Sequence, residues 1–110
     1  MSKRVKNDYY VYVLFRHDTG APFYVGKGHG RRYVTTIRTA RKGKSHKANI
    51  IWKARLAGKE IPLVIVQRDL SNEQACFIEI ALIAAIGREP NGPLVNLTDG
   101  GEGGGRMGAQ

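Results

Sequence analysis

The segment that most constrains this chain is Ser71 to Ile86. Ser71-Asn72-Glu73-Gln74 has capping-box spacing, with Ser71 at the N-cap and Gln74 at the third helical position. Ala75 to Ile86 then runs for twelve residues, eleven of them apolar, and the exception is Glu79. A helix with no broad polar face belongs inside the domain. Glu79 must therefore lie at a cleft edge or in the interior, where a lone carboxylate is costly enough to be paired, protonated or bound to a metal. The plain structural alternative is an ion pair with one of the many basic side chains.

The rest of the chain supplies the frame for that helix. Tyr9 to Phe15 is β-branched and aromatic almost throughout and reads as a strand buried on much of both faces. His17 to Pro22 is turn chemistry, and Phe23-Tyr24-Val25 resumes strand character, so the two runs make an antiparallel hairpin with a wide loop. It brings Tyr12 and Tyr24 into one neighbourhood, on one face or two according to register. Arg31 to Ala40 suggests a short helix. Ser45 caps a second, with Ala48, Ile51, Trp52 and Leu56 as its apolar stripe, Trp52 packing in the core, and Gly58 as its stop. Ile61 to Gln67 reads as a third strand, and Leu94-Val95 as a short strand or core segment. Residues 1–8 are expected to form a basic arm, 9–101 one domain, and 102–110 a flexible glycine-rich tail.

Charge narrows the function. The 110 residues carry 18 Lys and Arg against nine Asp and Glu, a formal net charge of +9. The excess is also segregated: between Thr19 and Lys59 there is no acid, while Lys27, Arg31, Arg32, Arg38, Arg41, Lys42, Lys44, Lys47, Lys53, Arg55 and Lys59 all fall there. A solvated surface usually mixes both signs, so this stretch points to an anionic partner, with nucleic acid foremost. An anionic membrane fits poorly, since no run reaches spanning length. Cys76 alone excludes an internal disulfide or a Cys-rich zinc site and reads as core. The N-terminus leads to no signal-peptide segment, so a cytoplasmic location is expected.

Within the basic stretch, Phe23-Tyr24-Val25-Gly26-Lys27-Gly28-His29-Gly30-Arg31-Arg32 breaks from strand into three alternating glycines and leaves through two arginines. Such glycines let the backbone adopt positive φ and approach a ligand, and Lys27 and Arg32 offer charge and a planar donor fork for a phosphodiester. The pattern is neither a Walker loop nor a dinucleotide fingerprint, so a nucleotide cofactor is not indicated. Acids are too scattered for a two-metal site. One hard cation, Mg²⁺ or Mn²⁺, held by Glu79 and waters is the alternative. Tyr12 or Tyr24 could serve as general base if nearby cations lowered its pKa from about 10.

Tyr10-Val11-Tyr12, eleven intervening residues, Tyr24-Val25-Gly26, then Arg32, Glu79 within its apolar helix, and Asn96 together resemble the GIY-YIG endonuclease domain over about residues 9 to 101. The resemblance implies a small three-stranded antiparallel sheet flanked by helices, an α+β fold, and cleavage of DNA with a single Mg²⁺ or Mn²⁺. By position it gives Tyr12 and Tyr24 as the motif tyrosines, Arg32 as the phosphate clamp, Glu79 as metal ligand and Asn96 as a supporting residue. Lys27, Arg31, Arg41, Lys42, Lys44, His46 and Lys47 are the candidate phosphate contacts. The chain departs from the family pattern in three places. Tyr10 stands where the first triplet has glycine, the arginine follows Tyr24 by seven or eight residues, and Thr36 stands where many members have a histidine, a role His46 could share. The Gly-Lys-Gly-x-Gly-x-Arg form looks like that of LEM-domain and some phage-type nucleases, and a separate DNA-targeting part could accompany it. The rival reading is a non-catalytic nucleic-acid-binding module that keeps the fold.

Overall fold

The computed structural model describes residues 7–101, so the expected tail and most of the expected arm lie outside the described residues. The elements are β1 (Tyr9–Phe15), β2 (Pro22–His29), α1 (Arg32–Arg38), α2 (His46–Leu56), β3 (Leu63–Leu70) and α3 (Asn72–Ile86). The sheet is antiparallel in the order β2-β1-β3, which is the α+β architecture the sequence suggests.

β1 takes the centre because it is apolar on both faces. Tyr10, Tyr12 and Leu14 project to one side, into a core closed by Ala48, Ile50 and Ile51 of α2. Val11 and Val13 project to the other, against Ala75 and Ile83 of α3 and against Leu94. Helices thus cover both faces of a three-stranded sheet, and the edge of β2 runs between them.

Several local expectations are met and others shift. Ser71 accepts from the Gln74 N–H at 3.1 Å while the Gln74 side chain accepts from the Ser71 N–H at 2.9 Å, completing the capping box. Ser45 caps α2 through Ala48 at 3.0 Å. Leu56 is not core, being 71 % exposed; Ile50 and Ala54 hold the buried stripe instead. Trp52 is half-buried, with the Arg55 guanidinium 5.4 Å from its ring centre. β3 begins two residues later than expected, because Pro62 has no N–H to offer; its carbonyl still accepts from Phe15 at 3.0 Å. Of Leu94 and Val95, both buried, the first bridges Arg88 and the second donates to the Phe23 carbonyl at 2.8 Å.

The glycine stretch is the larger correction. Gly26 and Gly28 lie inside β2, and of the three alternating glycines only Gly30 has positive φ, at 61°. Their purpose is close approach to side chains within the protein. Tyr12 pairs with Gly26 across the β1–β2 ladder, and its ring lies over the glycine where a Cβ would stand. At Gly28 a Cβ would come within 2.8 Å of the Arg32 Cβ. Because the Tyr12 ring is itself buried, it cannot swing away. Gly26→Ala is therefore expected to destabilise the fold by about 1–3 kcal/mol in urea unfolding; an unchanged midpoint would show that the ring has room to move.

Candidate active site

The register decides which side chains meet. Tyr24 pairs with Leu14 and Tyr12 with Gly26, which puts both motif tyrosines on the α1–α2 face of the sheet with ring centres 6.3 Å apart. Tyr12 is 2 % exposed and is surrounded by Tyr10, Tyr24 and Tyr33. Burial pushes its phenol above the usual tyrosine value; a hydrogen bond from Thr36 opposes this, Tyr10 and Glu79 add to it, and Arg32 opposes it. Tyr12 is thus a protonated phenol at neutral pH. Tyr24 is half-buried, and the Lys47 amine sits 4.2 Å from its ring centre. Burial lowers the Lys47 pKa.

Two grooves open along the β2 edge. One, of about 300 Å³, is lined by Tyr9, Tyr24, Lys27, Gly28, His29, Arg32 and Glu79. The other, of about 250 Å³, runs past Tyr24, His46, Lys47, Glu79, Asn96 and Leu97. They share Tyr24 and Glu79. A larger groove of about 620 Å³, bounded by Tyr33, Ile37, Ile51 and Leu63, contains none of the candidate residues.

Glu79 reaches the grooves from the middle of the buried face of α3, at 7 % exposure. Its Oε1 accepts from the Gly101 N–H at 3.1 Å. Asn96 faces β2 directly. Its Oδ1 accepts from the Val25 N–H at 3.1 Å and its Nδ2 donates to the Val25 carbonyl at 2.8 Å. The side-chain amide thereby pairs with the strand edge as a neighbouring strand would.

The other candidates divide. Arg32 opens α1 beside the first groove. Lys27 turns to the α3 side, donating to Asn72 Oδ1 at 2.9 Å with its amine 5.5 Å from the Tyr9 ring centre, so its nearest tyrosine contact is Tyr9. His46 lines the second groove and lies 3.2 Å from Glu89 Oε1. Arg31, Arg41, Lys42 and Lys44 are exposed and line neither groove. Sequence reasoning missed the contact between Lys47 and Tyr24 and that between Thr36 and Tyr12, since neither pair is close in the chain.

A family model, the LEM-3-like GIY-YIG domain, matches residues 4–104. The chain belongs to the GIY-YIG family. No curated protein and no solved structure matches the chain. The GIY-YIG family is one of nucleases, with DNA as the substrate that such a domain implies. In this GIY-YIG domain no helix among the described residues is long and apolar enough to cross a membrane.

Among the described residues no three His, Cys, Asp or Glu side chains converge. Glu79 is, among the described residues, the one acid lining either groove. A single carboxylate suits a hard cation that keeps most of its waters, and does not suit zinc.

The Asn96 clasp gives a direct test. Asn96→Asp keeps an acceptor for the Val25 N–H but sets a second oxygen against the Val25 carbonyl. We expect a loss of about 1–3 kcal/mol and faster hydrogen exchange at the Val25 amide, both recovering at acid pH as the carboxyl gains a proton to donate. Exchange matching the parent at neutral pH would mean that the amide does not hold the strand.

Proposed function

We propose that this GIY-YIG domain is a metal-dependent DNA endonuclease that hydrolyses phosphodiesters at the β2 edge. The observation that carries the reading is the sharing of Tyr24 and Glu79 by two adjoining grooves, with Arg32 on one side and Lys47 on the other. The carboxylate and the phenol common to both grooves thus lie between Arg32 and Lys47, in a trough open to a polyanion.

In this reading Arg32 holds the scissile phosphate, because its planar fork matches two phosphate oxygens. Tyr24, in its phenolate form, accepts the proton of the attacking water as the water oxygen bonds to phosphorus. The bond from phosphorus to the leaving sugar oxygen breaks, and that oxygen takes up a proton from solvent. The Lys47 ammonium over its ring favours negative charge there. Tyr12, buried and protonated, fixes the Tyr24 ring by packing and is not the base. Glu79 would hold one Mg²⁺ or Mn²⁺, which when bound would supply positive charge to offset the negative charge developing on the phosphate oxygens. The exposed Arg31, Arg41, Lys42 and Lys44 contact flanking phosphates, a sequence-independent and salt-sensitive form of binding.

Nicking of supercoiled plasmid tests the assignment of the base. Tyr24→Phe is expected to slow metal-dependent nicking about a hundredfold, with DNA affinity by fluorescence anisotropy unchanged and Tyr12→Phe affected far less. Full activity in Tyr24→Phe would remove that phenol from proton transfer.

A further inference from the structure

Leu97 lines the second groove with Glu79 and Lys47, yet is 83 % exposed, the largest exposure among the large apolar side chains described. Buried Val95 and half-buried Tyr24 line the same groove among polar and charged side chains, yet Leu97 is left mostly in water, where it gains nothing apolar. A scattered surface leucine needs no explanation; this one differs in how firmly it is held. On one side, Asn96 is clasped to Val25 by two hydrogen bonds. The Leu97 carbonyl accepts from Arg88 Nη1 at 2.9 Å, and Arg88 also pairs with Asp99 at 2.8 Å. On the other side, Gly100 donates to Thr98 Oγ1 at 3.2 Å and Gly101 to Glu79 at 3.1 Å.

The glycines complete the clamp. Gly100 and Gly101 have φ of 100° and 89°, and a Cβ at either would press on Ile80 or Ile83 of α3. The loop thus sits directly on the helix that carries Glu79 and is tied to that carboxylate by the Gly101 N–H. Such a loop presents an apolar branched side chain at the lip of a cationic trough. DNA accepts an apolar side chain at the thymine methyl or, with far more of the side chain covered, between stacked bases, and proteins that kink a duplex insert leucine among other apolar residues there.

We propose that Leu97 is a wedge that enters the base stack beside the scissile phosphate and unstacks one step of the strand lying in the β2-edge trough. This rests on the nuclease reading for its location but makes a separate claim about the substrate. The wedge bends the strand toward Tyr24 and Glu79 and makes cutting easier wherever a step is already open.

The test uses the full chain and duplex oligonucleotides carrying 2-aminopurine at each position of a central window in turn. It also uses duplexes with an abasic site at the same positions. In EDTA, wild-type protein is expected to raise 2-aminopurine fluorescence on binding, and Leu97→Ala is not, while Leu97→Met restores the rise. In Mg²⁺, Leu97→Ala is expected to lower kcat/KM about tenfold on matched duplex and to cut abasic duplex at the wild-type rate. A fluorescence rise that persists in Leu97→Ala, or an equal loss on both substrates, overturns the wedge. The two readings fail separately. Cutting that is indifferent to Leu97 removes the wedge alone, and a Leu97-dependent fluorescence rise without cutting removes the nuclease alone. A chain that neither cuts nor perturbs 2-aminopurine removes both.

Discussion

The amide of Asn96 occupies the place of a fourth strand. A three-stranded sheet leaves two open edges, and the β2 edge is the one along which the grooves lie. Had it been sealed by another strand, no backbone groups would be left bare but no trough would exist. Two hydrogen bonds to Val25 and one from Val95 to Phe23 satisfy the strand at the points where it carries Tyr24, and the chain then turns away. Everything nearby is referred to that clasp. Tyr24 is held between its two partners, and the loop that follows Asn96 brings Gly101 onto Glu79.

A second constraint is the crowding on the inner face of the hairpin. Tyr12 passes over Gly26, and Arg32 presses on Gly28, so a tyrosine and an arginine that approach from different elements converge only because two strand positions lack side chains. The consequence is an electrostatic division of labour. Tyr12 loses contact with water and holds its proton, while Tyr24, less buried, keeps a cation against its ring. Two chemically identical side chains are thereby placed in different surroundings, by depth first and by their charged neighbours second.

Much of the framework could be read in the chain because it follows from local rules. The capping box before Ala75, the aromatic and β-branched run of Tyr9–Phe15 and the Ser45 cap each depend on neighbours within one turn or one strand. Glu79 stood out for the same reason, as one acid among apolar residues. What escaped depended on register. The glycines of 26 and 28 suggest loop conformations until the pairing with Tyr12 and Tyr10 is known, whereupon they become strand residues making room. Leu56 fits a helical stripe by spacing, but which stripe faces the sheet is set by packing, and Ile50 and Ala54 face it instead. The nearness of Lys47 to Tyr24, and the turn of Lys27 toward Asn72, likewise follow from how helices dock.

Glu79 is, among the described residues, the one carboxylate lining the two grooves, and the proposed chemistry depends on it. Its most direct test is plasmid nicking by wild type and Glu79→Gln in Mg²⁺, in Mn²⁺ and in EDTA, with DNA binding followed by anisotropy on the same samples. The account predicts nicking that requires metal and disappears in Glu79→Gln, while affinity is kept or raised because a negative charge has gone. Metal-dependent nicking that survives in Glu79→Gln would contradict it, and would place the chemistry somewhere other than the β2 edge.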